Sequence, residues 1–337
     1  ALYAPHCLRA AAGAAVAELH LPAQPLGRGS VAQAPELPQT AGGSEENAME
    51  IVPLGPGFAA ELRDVDLAEI VARPALYEAV RDAFEAHSVL LFRGQAVTDE
   101  SQLAFTRCFG PLEITKRASL GEGSHFSILT NLDADGNVVS PDHRQALVAK
   151  ANQLWHTDSS FKSIPALASV LSARVIPLRG GETEFASTRL AWQRLPADLQ
   201  ARLQDAFAWH DYAHSRGQIS PDLTTPIERT SLPPVRWRMA WRNPANGMLS
   251  LYVASHAYAI DGMAADEAQS LLAELIERAT APGYTYVHCW REGDVIMWDN
   301  RATLHRGRPW PESLPRHVVR TTVSASEADG LASVRPL

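Results

Sequence analysis

Apolar residues recur at two periods along the chain, and the two periods divide it into helices and strands. Over residues 75–87, ALYEAVRDAFEAH, Leu76, Val80 and Phe84 fall four apart and predict a helix. The run SVLLFRG that follows, closed by Gly94, predicts a short strand. LPADLQARLQDAF sets Leu195, Leu199 and Leu203 on one helical face, with a proline early in its first turn. A third helix, AADEAQSLLAELIERAT, presents Leu271, Leu272, Leu275 and Ile276 as its buried stripe. Its leading acids and closing Arg278 complement the helix dipole.

Short strands make up most of the remainder: ASVLSARVIP, LSLYVAS, YTYVHCW, DVIMWDN and HVVRTTVSA. Because the helices sit apart from these strands instead of alternating with them, the pattern predicts an α+β, mainly β domain on a β-sandwich or barrel. Residues 210–246, containing PPVRWRMAWRNP, read as a long insertion, and RWRMAW as either a lid over an apolar ring or packing on the barrel exterior. Residues 1–48, rich in Ala, Pro and Gly, read as a poorly structured extension, so that one domain runs from Met49 to residue 337.

Composition narrows the class. With 46% apolar and 20% charged residues the chain suits a soluble globular protein. A formal charge of -8 argues against nucleic-acid or anionic-membrane binding, which leaves small molecules as partners. No apolar run reaches the roughly 18 to 20 residues that span a bilayer. Cys7, Cys108 and Cys289 are scattered, and none belongs to a Cys-x-x-Cys pair. That spacing suits reduced thiols in a cytoplasm better than a disulfide framework or a zinc site.

The candidate chemistry centres on WHTDSSF. Read as a strand, it turns His156, Asp158 and Ser160 to one face, where an imidazole and a carboxylate can grip one cation. His305, in VIMWDNRATLHRGRP, is the candidate third ligand. Two neutral imidazoles and one carboxylate leave about three metal positions open, the facial triad of non-haem Fe(II) oxygenases. A closed zinc site would show cysteine or a fourth protein ligand. A single His-x-Asp pair is also expected by chance, so a strand histidine and a turn histidine of no catalytic role stay open on these residues alone. Further on, Arg316, Val318 and Arg320 share a strand face; the two guanidiniums there need either small-molecule anions or acidic residues from neighbouring strands. In RGGETEFAS, Gly180 and Gly181 permit a tight turn, after which Thr183 and Phe185 face one way and Glu182 and Glu184 the other. The Thr183 hydroxyl could then donate to a carboxylate held by an arginine. Alone, Gly-Gly-x-Thr marks no more than a hairpin.

Taken together, NQLWHTDSSF, GGETEF, VIMWDNRATLHRGR and PRHVVRTTV closely resemble the taurine / 2,4-dichlorophenoxyacetate dioxygenase (TauD/TfdA) family, with order and spacing retained from about Met49 to Ser324. ANQLWH, the doubled serine and MWDNR bring the chain nearer the phenoxyacetate-degrading branch. The resemblance implies a double-stranded β-helix, or jelly roll, flanked by helices. It implies Fe(II) on His156, Asp158 and His305, with 2-oxoglutarate and O2 as co-substrates and succinate and CO2 as products. Arg316 and Thr183 would hold the distal carboxylate of 2-oxoglutarate, with Trp298 lining the pocket near the metal. Arg320, helped by Asn152 and Ser160, would face the acid group of the substrate. The substrate expectation is an aryloxyacetate-like organic acid, with taurine or another sulfonate as the alternative. From another class, a non-catalytic jelly-roll metal-binding module fits the same residues. His210, His214 and His256 either reach the pocket or serve as ordinary structural histidines. Family members are commonly dimers or tetramers, so a homo-oligomer is implied by resemblance only.

Overall fold

VLLF and VIMW have no polar side because both faces of the strands they form are covered. The computed structural model describes residues 49–336; the expectation for residues 1–48 lies outside the described residues. Val89–Phe92 and Val295–Asp299 lie side by side within a seven-stranded sheet. Its order is Glu50–Pro53, Ala60–Arg63, Val89–Phe92, Val295–Asp299, Ala166–Val175, His317–Ser324, Ser127–Thr130. Neighbours run antiparallel except Ala60–Arg63 against Val89–Phe92.

Side chains alternate across this sheet, as the pleat demands. Val89, Leu171, Ile296, Trp298 and Val318 enter the inner core. Leu90, Phe92, Val170, Val295, Met297 and Val323 enter the outer one, packed on Val80 and Phe84 of helix Pro74–His87 and on Phe105 of helix Asp99–Cys108. Pro74 sits in the first turn of its helix, where its missing N–H costs nothing, and Ser88 ends it in the left-handed region at φ 63°. The inner core is closed by a second antiparallel sheet, Thr285–His288, Thr183–Ser187 and Thr303–Gly307, which contributes Phe185. Two facing sheets joined in this way form a double-stranded β-helix flanked by helices, the mainly β, α+β architecture expected.

The helix Ala265–Ala279 buries Leu271, Leu272 and Leu275 against Ala208, Met239 and Leu251 in a separate cluster. Residues 210–246 contribute to these cores. They supply the helices Tyr212–Gly217 and Pro226–Ser231 and the strands Val235–Arg238 and Ala240–Arg242. Trp237 and Trp241 are buried, their indole N–H groups donating to the Ser160 and Asp329 carbonyls at 2.7 and 3.1 Å. RWRMAW therefore packs inward and is no lid. No helix among the described residues is long and apolar enough to cross a membrane. Cys108 is free, as expected for a reduced thiol.

Glu228 ties the short helix Pro226–Ser231 to its surroundings. Its carboxylate is fully buried and accepts from Lys116 Nζ at 2.5 Å, from Arg144 Nη2 at 3.0 and 2.9 Å, and from both the N–H and the hydroxyl of Thr225 at 2.9 Å. Burial opposes its ionisation, but Lys116 and Thr225 outweigh that and hold the carboxyl down at about 2, against 4.5 unperturbed. A lowered folded-state value means that the charged group favours folding fully above about 4.5 and stops doing so as pH falls towards about 2. The melting-temperature gap between the wild type and Glu228→Gln should therefore be widest at neutral pH and close across that acid window. A gap independent of pH would show that the ionised carboxylate is not what stabilises this corner.

Candidate metal centre and co-substrate pocket

The segment expected to be a strand at residues 155–161 is a strand for one residue only. His156 and His305 form an isolated antiparallel bridge, His156 N–H donating to the His305 carbonyl at 3.0 Å and His305 N–H to that of His156 at 2.8 Å. The bridge fixes the two rings 4.1 Å apart. Beyond it the chain turns, with Ser159 in the left-handed region at φ 56°. Simple alternation is lost there, and Asp158 reaches the imidazoles from the turn.

The side chain of Asn300 holds that turn. Its Oδ1 accepts from Asp158 N–H at 3.0 Å and Trp298 Nε1 at 3.0 Å, while its Nδ2 donates to Ser169 Oγ at 3.0 Å. Ser169 in turn donates to Asp158 Oδ2 at 2.7 Å. Asp158 Oδ1 also receives Arg320 Nη1. The resulting carboxylate lies 4.0 Å from His156 Nε2 and 3.7 Å from His305 Nε2, and the three residues' ligand-capable atoms fall within 4.8 Å of one another.

The protonation states suit a cation. Burial pushes His156 down to about 4 and His305 well below its ordinary range, so both rings are neutral at physiological pH. Burial opposes ionisation of Asp158, but Arg320, His305, His156 and the Ser169 hydrogen bond outweigh it and bring the carboxyl to about 2. His156 Nδ1 donates to the Leu154 carbonyl at 2.7 Å, which fixes the tautomer and leaves Nε2 with its lone pair towards Asp158. Two such rings and an ionised carboxylate fit one divalent ion with open positions.

The triad opens into a cavity whose wall also carries Thr183, Arg316, Trp298, Arg320 and Asn152. Trp298 lies in the inner core with its ring 4.6 Å from that of His305. Arg316 is buried, with the Gly181 carbonyl at 3.5 Å and the Trp310 ring at 5.2 Å but no carboxylate partner among the described residues. Burial lowers it to about 10, so it stays cationic. Gly181 stands against it: at φ +73°, a Cβ there would come within 3.3 Å of Arg316 Nε and 3.0 Å of Pro177. Thr183 Oγ1 accepts from Trp290 Nε1 at 2.9 Å, leaving the hydroxyl proton to donate into the cavity. Of the two fates considered for the arginine pair, Arg320 has an acidic residue and Arg316 has none.

Ser160 departs from the expected arrangement. Because the chain has turned, its hydroxyl lies 3.3 Å from His256 Nδ1 and does not line the cavity. His256 does line it, whereas His210 and His214 do not; His210 is fully buried and stacked on Tyr252.

Together with the jelly roll, this donor set places the molecule among the oxygenases that carry one metal on two histidines and a carboxylate. The chain belongs to the Taurine catabolism dioxygenase TauD, TfdA family, whose model matches residues 50–322. It is an Fe(II)/2-oxoglutarate-dependent dioxygenase, with Fe(II), 2-oxoglutarate and O2 as its cofactor and co-substrates. It is 39% identical over 275 residues to an alpha-ketoglutarate-dependent 2,4-dichlorophenoxyacetate dioxygenase of Cupriavidus pinatubonensis, covering 80% of this chain and 96% of that one. To the (S)-phenoxypropionate/alpha-ketoglutarate-dioxygenase of Sphingobium herbicidovorans the identity is 32%, over 85% of this chain and 98% of the relative. Among solved structures, AAD-2 in complex with Mn(II) and N-oxalylglycine matches with a TM-score of 0.77 and 37% identity, over 84% of this chain and 98% of that one.

Asn300 and Ser169 had no signal in the sequence beyond Asn300 falling inside MWDNR. Asn300→Ala strands Asp158 N–H and Trp298 Nε1 without their acceptor. The variant should lose about 2–3 kcal/mol in denaturant unfolding and bind Fe(II) about 10- to 100-fold more weakly in an anaerobic titration. Wild-type metal affinity in the variant would mean that Asp158 needs no such support.

Proposed function

We propose that the chain hydroxylates the carbon next to the ether oxygen of an aryloxyacetate-like acid. The observation that carries this reading is a single cavity in which the His156–Asp158–His305 cluster, the carboxylate-free Arg316 and the guanidinium of Arg320 all meet. The acids named for the relatives, 2,4-dichlorophenoxyacetate and phenoxypropionate, supply the chemical class. Hydroxylation there gives a hemiacetal, which collapses by breaking the ether bond to release a phenol and an aldehyde acid.

In this reading His156, Asp158 and His305 are the metal ligands. Fe(II) bound there supplies the redox chemistry, coupling decarboxylation of 2-oxoglutarate by O2 to insertion of one oxygen atom into a C–H bond, with succinate and CO2 as products. Arg316 takes the distal carboxylate of 2-oxoglutarate, since it is a buried cation that no carboxylate among the described residues neutralises, and the Thr183 hydroxyl donates beside it. Arg320 turns from Asp158 to the acid group of the substrate, helped by Asn152, which also lines the cavity. Trp298 and Phe185 pack against His305 and keep that side of the site dry.

Release of succinate from 2-oxoglutarate, measured over a panel of phenoxy acids, sulfonates and amino acids, tests the substrate class. Phenoxyacetates should be consumed fastest, and preferred turnover of taurine would replace this reading with a sulfonate one. Asp158→Ala should abolish both Fe(II) binding and turnover. Arg316→Ala should raise KM for 2-oxoglutarate about 10- to 100-fold, whereas Arg320→Ala raises it for the organic acid. The reverse pattern in steady-state kinetics would interchange the two arginines.

A further inference from the structure

Four guanidiniums line the cavity: Arg316 and Arg320 have roles above, Arg144 is paired with Glu228, and Arg216 is left over. Arg216 belongs to helix Tyr212–Gly217 and shares the cavity wall with Asn152 and His256. It is 7% exposed, and no carboxylate among the described residues pairs with it. Its two side-chain hydrogen bonds are both at the long limit: Nη1 to Ser215 Oγ at 3.4 Å and Nη2 to Asn152 Oδ1 at 3.5 Å. Nε has no partner at all. The Tyr212 ring, 4.7 Å away, supports the guanidinium and its charge but offers no acceptor in its plane. Next to it, His256 Nε2 is also buried without a partner, Nδ1 being next to Ser160.

A buried cation with such weak compensation is costly unless an anion completes it. Elsewhere in this molecule the same problem is solved internally: Arg301, 1% exposed, is paired with Glu85 at 2.8 Å and Asp299 at 2.9 Å. Ser215, next to Arg216 in the chain, meets Ser255 at 3.2 Å, and the ring of the following residue, His256, lies 6.2 Å from that of His156, whereas Arg316 sits against Gly181 and Trp310. Arg216 therefore stands on the His156 side of the cavity and is not a second grip on the Arg316 anion.

We propose that Arg216 is a specificity-determining residue that holds the carboxylate of the primary substrate from the helix side, with Asn152 and His256 completing the seat. The assignment rests on the organic-acid reading above and adds to Arg320 a second, independently mounted contact. A planar fork matches a planar carboxylate in two parallel hydrogen bonds, which gives the site a reason to prefer carboxylates over tetrahedral sulfonates.

Steady-state kinetics of the iron-loaded enzyme with phenoxyacetate, and with its uncharged methyl ester, test this. In Arg216→Met, KM for phenoxyacetate should rise about 10- to 100-fold, the loss expected for a hydrogen bond to a charged group. KM for 2-oxoglutarate should stay within about twofold, because a different cation binds it. The disadvantage of the methyl ester against the acid should shrink in the variant by the same factor, Arg320 accounting for what is left. Arg216→Lys, which keeps the charge and loses the fork, should fall between the two. An unchanged KM for phenoxyacetate in Arg216→Met overturns the proposal, and so does an equal rise for acid, ester and 2-oxoglutarate, which would mark a structural role. If the wild type itself turns over no phenoxyacetate, the substrate reading falls first and takes this assignment with it; turnover with unchanged KM overturns this assignment alone.

Discussion

Two backbone hydrogen bonds, exchanged between His156 and His305, hold together a site whose parts come from distant stretches of chain. His305 sits on a strand of the smaller sheet, paired with Thr183–Ser187. His156 follows a short helix and a loop, and without the bridge nothing would set its ring beside its partner. The larger sheet joins through Asn300 and Ser169, which hold the Asp158 turn. One bridge and one side-chain amide thus tie a loop to both layers of the sandwich. The three candidate ligands are as rigid as the sheets behind them, a condition for holding a metal with open positions.

Ionised groups in the dry space between two sheets need compensation, and the molecule answers this in two ways. Around Arg301 the charges are closed on themselves, with Asp299, Glu85 and Asn243 satisfying one another. Such a cluster is structural. In the cavity the balance is left incomplete, since among the described residues Arg316 and Arg216 are buried without carboxylates and Arg320 is paired only with the carboxylate that would also bind the metal. Burial can explain neither omission, because acidic residues are available in the same fold. Buried cations left without a carboxylate along one cavity wall are the physical form of a site for acids.

How much of this could be read from the sequence follows from where each piece lies. The central strands were legible because both of their faces are buried, which writes them as unbroken apolar runs, and the helices Pro74–His87 and Ala265–Ala279 because they have one buried stripe each. The spacing of His156, Asp158, His305, Arg316 and Arg320 was legible as residue types near strand ends. The strand reading of 155–161 failed because Asn300, 142 residues away from Asp158, bends that segment through its side chain, and no local propensity records such a contact. Ser160 was misplaced as a consequence. Residues 210–246 read as an insertion because Trp237 and Trp241 alternate with arginines, although both indoles are core. Arg216 gave no signal, and His256 could not be told apart from His210 and His214, because the two reach the cavity from a six-residue helix and a turn, neither of which has a periodic pattern long enough to orient a side chain.

The two sources of the cavity wall have different mechanical standing. Thr183, Arg316 and Arg320 lie on or beside strands whose other residues, Phe185 and Val318, form the inner core, so a change there disturbs packing as well as binding. Asn152 and Arg216 come from the short helices' ends, held by caps and by Glu228 with its cations instead of by the core. In the proposed reading the contacts to 2-oxoglutarate, Thr183 and Arg316, have the first kind of support, as do His305 and Arg320. Of the groups proposed to recognise the organic acid, Asn152 and Arg216 have the second, where the chain can change without unmaking the sandwich. The same arrangement explains why sequence reading reached the shared chemistry more easily than the substrate: the core periodicity that makes strands legible also fixes His305 and Arg320, and stops at the short helices that carry Asn152 and Arg216.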